Sequence, residues 1–196
     1  MIDMTTDNPW KLLEIEEPFS CPYFTVRSDV VSHAGGPQRR YNSIRMKMRG
    51  VLVLPIDSRG YTTLVGQHRY VLDRYSWELP GGGAPVDRPA IETAQAELSE
   101  EAGLLARHWM ELFAVPVAPG TLDEITTAFV AWELHAGRAQ PEATEQIALR
   151  ALPFQEAVAL ALSGELGHIS SVAAVLALYS RLLRGELPED LAELLK

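Results

Sequence analysis

Runs of apolar residues divide the chain into segments with the length and spacing of strands and helices. Val, Leu and Ile dominate Gly50–Ile56, and this run predicts a buried strand. Residues 57–60 are typical of a turn, and Tyr61–Tyr70 predicts a second strand, so we expect these two strands to form a hairpin. Further strands are predicted at Tyr23–Val26, Tyr41–Met46, Trp109–Val117, Ile125–Leu134 and Ile147–Leu152.

Helical spacing of apolar residues predicts a helix over Pro89–Ala102. Asp87 is the expected N-cap, and Gly103 is expected to end the helix because glycine adopts the left-handed conformation there. Three more helices are predicted at Phe154–Leu162, Ile169–Leu183 and Leu187–Leu195. This order of elements indicates an α+β fold in which a mixed β-sheet is sandwiched between helices.

The beginning of the chain differs from the remainder. Residues 1–46 hold only short strand-like pieces, punctuated by Asn8-Pro9 and Gly35-Gly36-Pro37. We therefore expect residues 1–46 to form a small N-terminal β subdomain and residues 47–196 to form the main domain.

Composition and charge narrow the range of functions. The 196 residues include 17 Lys and Arg against 26 Asp and Glu, a net charge of −9, so a nucleic-acid partner is not expected. A lone Cys21 excludes a disulfide framework and a zinc site built on several thiolates. Neither a signal peptide nor an apolar run long enough for a membrane span is recognisable, and a cytoplasmic location is expected.

Three acidic residues are the most informative feature. Glu97, Glu100 and Glu101 are spaced three and four positions apart on the predicted helix, so Glu97 shares a face with both others. Crowded carboxylates repel one another, and a divalent cation such as Mg²⁺, which prefers oxygen ligands, removes that penalty. The preceding glycines 81–83 allow backbone to approach a ligand closely. The alternative is a solvated helix face without a ligand.

In this context the sequence resembles the Nudix hydrolase family, whose signature is G-x5-E-x7-R-E-U-x-E-E-x-G-U, with U aliphatic. The flanking segments Val65–Tyr70, Tyr75–Gly83 and Gly164–Leu166 resemble the branch of ADP-ribose and ADP-sugar pyrophosphatases. The resemblance runs from about Asn8 to Leu183. The signature positions that match are Gly82, Glu97, Leu98, Glu100, Glu101, Gly103 and Leu104.

Two signature positions depart from the pattern. Arg88 stands where the family has Glu, and Ala96 stands where it has Arg. In the family these side chains support the metal-binding helix rather than act as its main ligands. Because both partners are replaced together, neither is left as an unpaired buried charge, and activity is still expected.

The resemblance implies a Nudix fold and a Mg²⁺-dependent hydrolase, with Mn²⁺ as an alternative metal. Glu97 and Glu101 would be the main metal ligands, Glu100 would assist in metal binding and catalysis, and a backbone carbonyl near Gly81 would complete the shell. The substrate would be a small nucleoside diphosphate derivative, best ADP-ribose or an ADP-sugar, cleaved to AMP and a sugar phosphate. The alternatives are another nucleotide sugar, a dinucleotide, or a nucleotide-binding sensor with weakened catalysis.

Further residues take roles by the same resemblance. Glu145 is the expected general base, with Glu142 as the alternative, and an exposed loop carboxylate as the alternative to both. Arg69 would bind substrate phosphates, or else form a structural ion pair with Glu78 or with the helix carboxylates. Glu78 is itself a candidate substrate-site residue. Tyr23 would stack on the base, although an aromatic residue in a strand is also typical of a core. The N-terminal segment implies a homodimer.

Overall fold

A computed structural model describes residues 7–137 and 147–196 of the chain. The described residues fall into two compact units, the first up to Met48 together with Ala118–Glu124, the second from Arg49–Val117 and Ile125–Lys196. In neither described range is there a helix with the length and apolar character needed to cross a membrane. The role predicted for residues 1–46, in dimerisation and substrate contact, stays a prediction.

The first unit contains a four-stranded antiparallel sheet around one long strand, β3. Residues 118–124 attach to its last strand. The amide of Ile44 donates to the carbonyl of Thr121 at 2.9 Å, and the amide of Met46 donates to the carboxylate of Asp123 at 2.7 Å. The strands are β1 (Trp10–Glu14), β2 (Phe19–Ser20), β3 (Phe24–His33) and β4 (Arg39–Met46).

The second unit contains two further sheets and four helices. The strands are β5 (Met48–Ile56), β6 (Tyr61–Arg69), β7 (Arg74–Glu78), β8 (Gly81–Pro85), β9 (Leu104–Pro116), β10 (Ile125–Ala136) and β11 (Ala148–Pro153). The four-stranded sheet has the order β8-β5-β10-β9, and β10 is parallel to β5 but antiparallel to β9. The three-stranded sheet has the order β11-β6-β7. The helices are α1 (Ala90–Ala102), α2 (Phe154–Ser163), α3 (Ile169–Leu183) and α4 (Glu189–Leu194).

Strand β5 is buried on both faces, which explains its continuous apolar sequence. Val51 and Val53 belong to an apolar cluster with α1. Leu52, Leu54 and Ile56 belong to a second cluster with α2, α3 and α4. Successive side chains of a strand point to opposite faces, so one strand serves both clusters. The predicted α+β fold with a mixed sheet between helices is confirmed.

The predicted hairpin between β5 and β6 is wrong. A turn does follow β5, because the carboxylate of Asp57 accepts the amides of Arg59 and Tyr61 at 2.8 and 2.9 Å. However, β6 then pairs with β7 and β11 in the other sheet. Both edges of β5 are already occupied, by β8 and β10, so no edge remains for β6.

The ends of α1 agree only in part with the sequence prediction. Pro89 occupies the N-cap position with ψ of 130°, and no side chain caps the helix, so Asp87 as the N-cap is wrong. Proline already holds the extended backbone that precedes the first turn. Gly103 ends the helix in the left-handed conformation, with φ of 65°, as expected.

Candidate active site

The segment of residues 78–81 links β7 to β8 and lies beside the predicted catalytic helix. Each of its four residues bonds to a different element, namely β6, α3, β5 and α1. The pairs are Glu78 with Arg69, Leu79 with Ser171, Pro80 with Val53, and Gly81 with Glu101. The surrounding fold therefore holds the backbone of this segment at Leu79, Pro80 and Gly81, and holds the side chain at Glu78.

Two of the predicted metal ligands lie against adjacent glycines. The amide of Gly81 donates to Oε2 of Glu101 at 2.8 Å. A Cβ atom added to Gly82 would lie 2.1 Å from Oε1 of Glu97. Both carboxylates therefore reach the same short stretch of backbone, and a side chain at position 82 would displace the carboxylate of Glu97.

The helix distinguishes among the glutamates at positions 97, 100 and 101. Leu98 and Ala102 are buried in the apolar cluster beneath α1, which sets the rotation of the helix. Glu101 is only 5% exposed, whereas Glu97 is half-buried and Glu100 is exposed. Because residues four apart lie on one helix face, Glu97 and Glu101 approach the glycines together.

Arg69 and Glu78 form a two-point ion pair at the edge of this segment. Nε donates to Oε1 at 3.0 Å and Nη2 donates to Oε2 at 2.7 Å. Burial raises the pKa of the Glu78 carboxyl, but the hydrogen bonds and charge of Arg69 outweigh burial, so this pKa lies below its ordinary value. The Arg69 side chain remains 43% exposed.

Whether a divalent cation could bind here depends on the ligands that the nearby side chains offer. Among residues 7–137 and 147–196, no three His, Cys, Asp or Glu side chains converge to enclose an ion by themselves. Mg²⁺ is commonly held by one or two carboxylates, with waters and substrate phosphates completing its octahedron. The carboxylates of Glu97 and Glu101 beside Gly81 and Gly82 fit that pattern.

The remaining predicted site residues do not all lie within the described ranges. Tyr23 lies in the first unit and is 63% exposed, and its stacking role stays a prediction. Glu142 and Glu145 lie outside the described residues, so the choice between them also stays a prediction. Arg88 and Ala96, where the chain departs from the Nudix signature, are both exposed.

No pattern in the sequence indicated that Ser171 or Val53 would hold the 78–81 segment. Ser171 accepts the amide of Leu79 at 3.1 Å, although the two residues are far apart in the chain. The one available signal was the Gly164–Leu166 motif, which lies shortly before α3. No local pattern indicates that a serine in a helix will meet a distant backbone amide.

Several known proteins are similar to this chain in sequence. A family model described as the NUDIX domain matches residues 46–174. An ADP-ribose pyrophosphatase of Mycobacterium tuberculosis is 33% identical over 162 residues, which cover 80% of this chain and 77% of that protein. A CMP-5′-(N-acetyl-N-hydroxy-3-aminopropyl)phosphonate hydrolase of Streptomyces rubellomurinus is 28% identical over 142 residues, 72% of this chain and 68% of that protein.

A similar fold is found among solved structures. The crystal structure of an ADP compounds hydrolase superimposes with a TM-score of 0.82 and covers 93% of this chain and 100% of that one. Sequence identity in this superposition is 19%, so the likeness speaks for the fold alone.

Proposed function

The chain belongs to the Nudix family of pyrophosphohydrolases, and from this premise we propose that it is a Mg²⁺-dependent hydrolase of nucleoside diphosphate derivatives. ADP-ribose or an ADP-sugar is the proposed substrate, and AMP and a sugar phosphate are the proposed products. The observation that carries the proposal is the placement of Glu97 and Glu101 against the glycines that begin β8.

Glu97 and Glu101 would hold the metal ion, with Glu100 and the backbone carbonyl of Gly81 as further donors. A divalent ion held there would supply positive charge to neutralise the pyrophosphate, polarise a phosphoryl oxygen and activate a water. The protein keeps the two carboxylates in place before metal arrives. Glu101 is held by the amide of Gly81, and Glu97 fills the space beside Gly82.

Arg69 is the proposed phosphate-binding residue. A guanidinium has five donors, so it can bond to a carboxylate with two of them and still bind a phosphate oxygen. Glu78 uses Nε and one terminal nitrogen, which fixes the direction of the guanidinium. We assign to Glu78 the role of orienting Arg69. Arg69 then both pairs with Glu78 and binds phosphate, and these are two roles that the sequence left open.

Glu145 is the proposed general base, and Glu142 is the alternative. Tyr23 is proposed to contact the base of the substrate, in a homodimer formed through the N-terminal segment. The M. tuberculosis relative, named as an ADP-ribose pyrophosphatase, supports adenine as the base. The S. rubellomurinus relative is named for a CMP derivative, so cytidine compounds belong in the test.

The experiment is a panel of ADP-ribose, ADP-glucose, UDP-glucose, a CMP-linked compound and a diadenosine polyphosphate, each incubated with Mg²⁺ or with chelator. We expect release of AMP from the ADP compounds only when Mg²⁺ is present, and little release by a Glu101→Gln variant. Binding of a nucleotide sugar without release of any product would identify a sensor instead. Faster cleavage of another compound would replace the proposed substrate.

A further inference from the structure

The segment between α2 and α3 lies against the strand that leads to the proposed active site. The amide of Gly167 donates to the carbonyl of Trp77 at 3.0 Å, and Leu166 forms a parallel bridge with the same residue. A Cβ atom on Gly167 would lie 1.7 Å from Oγ of Ser76. Backbone therefore meets β7 directly here, and no side chain fits between them.

Ser171 lies four residues after Gly167 and makes the next contact toward the site. Its side chain is fully buried, with 0% exposure, and Leu79 is 4% exposed. The Ser171 hydroxyl accepts the Leu79 amide at 3.1 Å, and its oxygen lies 3.5 Å from Nδ1 of His168. A hydroxyl has two acceptor lone pairs and one donor hydrogen, so both contacts are compatible.

We propose that Ser171 is a positioning residue for the metal site, because its hydroxyl fixes the backbone that carries Gly81 and, through Gly81, the carboxylate of Glu101. Leu79 and Gly81 are separated only by Pro80, whose φ is restricted. A displacement of the Leu79 amide is therefore transmitted to the amide that holds Glu101. This inference rests on the proposed function, since it concerns the same metal ion.

Loss of the hydroxyl would leave a buried amide without its acceptor. Such a group is unfavourable in the folded protein, and the backbone shifts or admits water to satisfy it. A shift of the backbone would move Gly81, whose amide donates to Glu101, and a water in place of the hydroxyl would hold this backbone less firmly than the buried side chain does. Removal of a residue that orients metal ligands typically weakens metal affinity roughly 10–100-fold.

The test compares Ser171→Ala with Ser170→Ala in the full-length protein. Ser170 is the neighbouring residue on α3 and is 4% exposed; in the described ranges it makes no hydrogen bond to residues 78–81. Mn²⁺ affinity is measured by electron paramagnetic resonance without substrate, and Tm by thermal unfolding. We expect the Mn²⁺ Kd to rise at least about tenfold in Ser171→Ala and to stay near the wild-type value in Ser170→Ala. At saturating Mn²⁺, kcat should largely recover in Ser171→Ala.

Ser171→Cys is a second variant that keeps the shape of the side chain but replaces oxygen with a weak sulfur acceptor. Its Mn²⁺ Kd should lie between those of the wild type and Ser171→Ala. The inference is overturned if the Cys variant binds Mn²⁺ like the wild type, or if the two alanine variants lose affinity equally. A wild-type protein that neither binds Mn²⁺ nor cleaves any compound would instead refute the proposed function.

Discussion

The carboxylate of Glu97 occupies the space that a side chain at position 82 would take. A Cβ atom built on Gly82 would lie 2.1 Å from Oε1 of Glu97 and 2.6 Å from its Cδ. Contacts this short do not occur between real atoms, so any residue larger than glycine displaces Glu97. The glycine of the signature is thus explained by the position of a proposed metal ligand.

Gly82→Ala should lower activity by weakening metal binding. We expect roughly a 10–100-fold higher Mg²⁺ concentration at half-maximal rate, because Glu97 must move away from its place beside the glycine. Gly120→Ala is the control, since a Cβ there would have no heavy atom within 4 Å. Equal Mg²⁺ dependence of wild type and Gly82→Ala would contradict this account.

The variants Glu101→Gln and Glu100→Gln should show which of the two neighbouring glutamates is the main metal ligand. Glu101 is buried and bonded to Gly81, whereas Glu100 is exposed. A glutamine at 101 keeps an acceptor for the Gly81 amide but loses the charge that a cation needs. We expect a rate loss of about 100-fold or more for Glu101→Gln and a smaller loss for Glu100→Gln, measured by AMP release at fixed Mg²⁺. The reverse order would reassign the main ligand.

Glu78→Gln should lower the free energy of unfolding in a pH-dependent way. The pKa of the Glu78 carboxyl is below its ordinary 4.5, so the wild-type advantage is fully present above pH 4.5 and is lost as pH falls through the lower folded-state pKa. Arg69 is partly exposed, so solvent screening limits the expected advantage at pH 7 to about 1 kcal/mol.

Urea unfolding of both proteins from pH 7 to pH 3 measures this difference. Glu111→Gln, at an exposed position of β9, is the matched control. A difference between wild type and Glu78→Gln that does not change with pH would show that the charge of Glu78 does not contribute.

Glu145→Gln should lower kcat by roughly 10²–10⁴-fold, the usual contribution of a positioned general base. Mn²⁺ affinity should stay unchanged, because Glu145 is not among the proposed ligands. Glu142→Gln is the matched variant at the alternative position, and single-turnover rates at saturating metal distinguish the two. If Glu142→Gln alone loses activity, the base is Glu142.

The protein should sediment as a dimer. Sedimentation equilibrium is expected to give a mass twice the chain mass of 21.6 kDa. Several large apolar side chains of the N-terminal unit are exposed, including Trp10, Leu12 and Phe19. Their burial between two copies would remove apolar surface from water, which favours association. A mass of one chain at micromolar concentration would rule out the proposed homodimer.

Local sequence patterns were sufficient to predict those elements that depend only on residues close together in the chain. Apolar residues at helical spacing predicted the helix that carries Glu97, Glu100 and Glu101, and Gly103 predicted its end. The apolar run of β5 predicted a buried strand, because a strand covered on both faces has no polar side. These features depend on residues within one or two turns of each other.

The sequence did not predict which distant segments pair with each other. Nothing in the turn at residues 57–60 shows that both edges of β5 are taken, so β6 was assigned to the wrong partner. Likewise, the sequence left Arg69 between a phosphate and an ion pair with Glu78. In the β6–β7 ladder Arg69 lies opposite Arg74 and Glu78 lies opposite Val65, so the Arg69–Glu78 ion pair is a side-chain contact of the folded protein that no local pattern specifies.

The sequence by itself determined the cluster of acids on α1, because that cluster depends on side-chain spacing along one element, and it determined the fold class from the order of elements and the family from the signature and its flanking segments. Only the tertiary structure decided which acids meet the glycines of β8, and that Ser171 supports them from α3. The reason is physical: hydrogen bonds between distant segments depend on the packing of the apolar faces of β5 and α1, which brings those segments within reach.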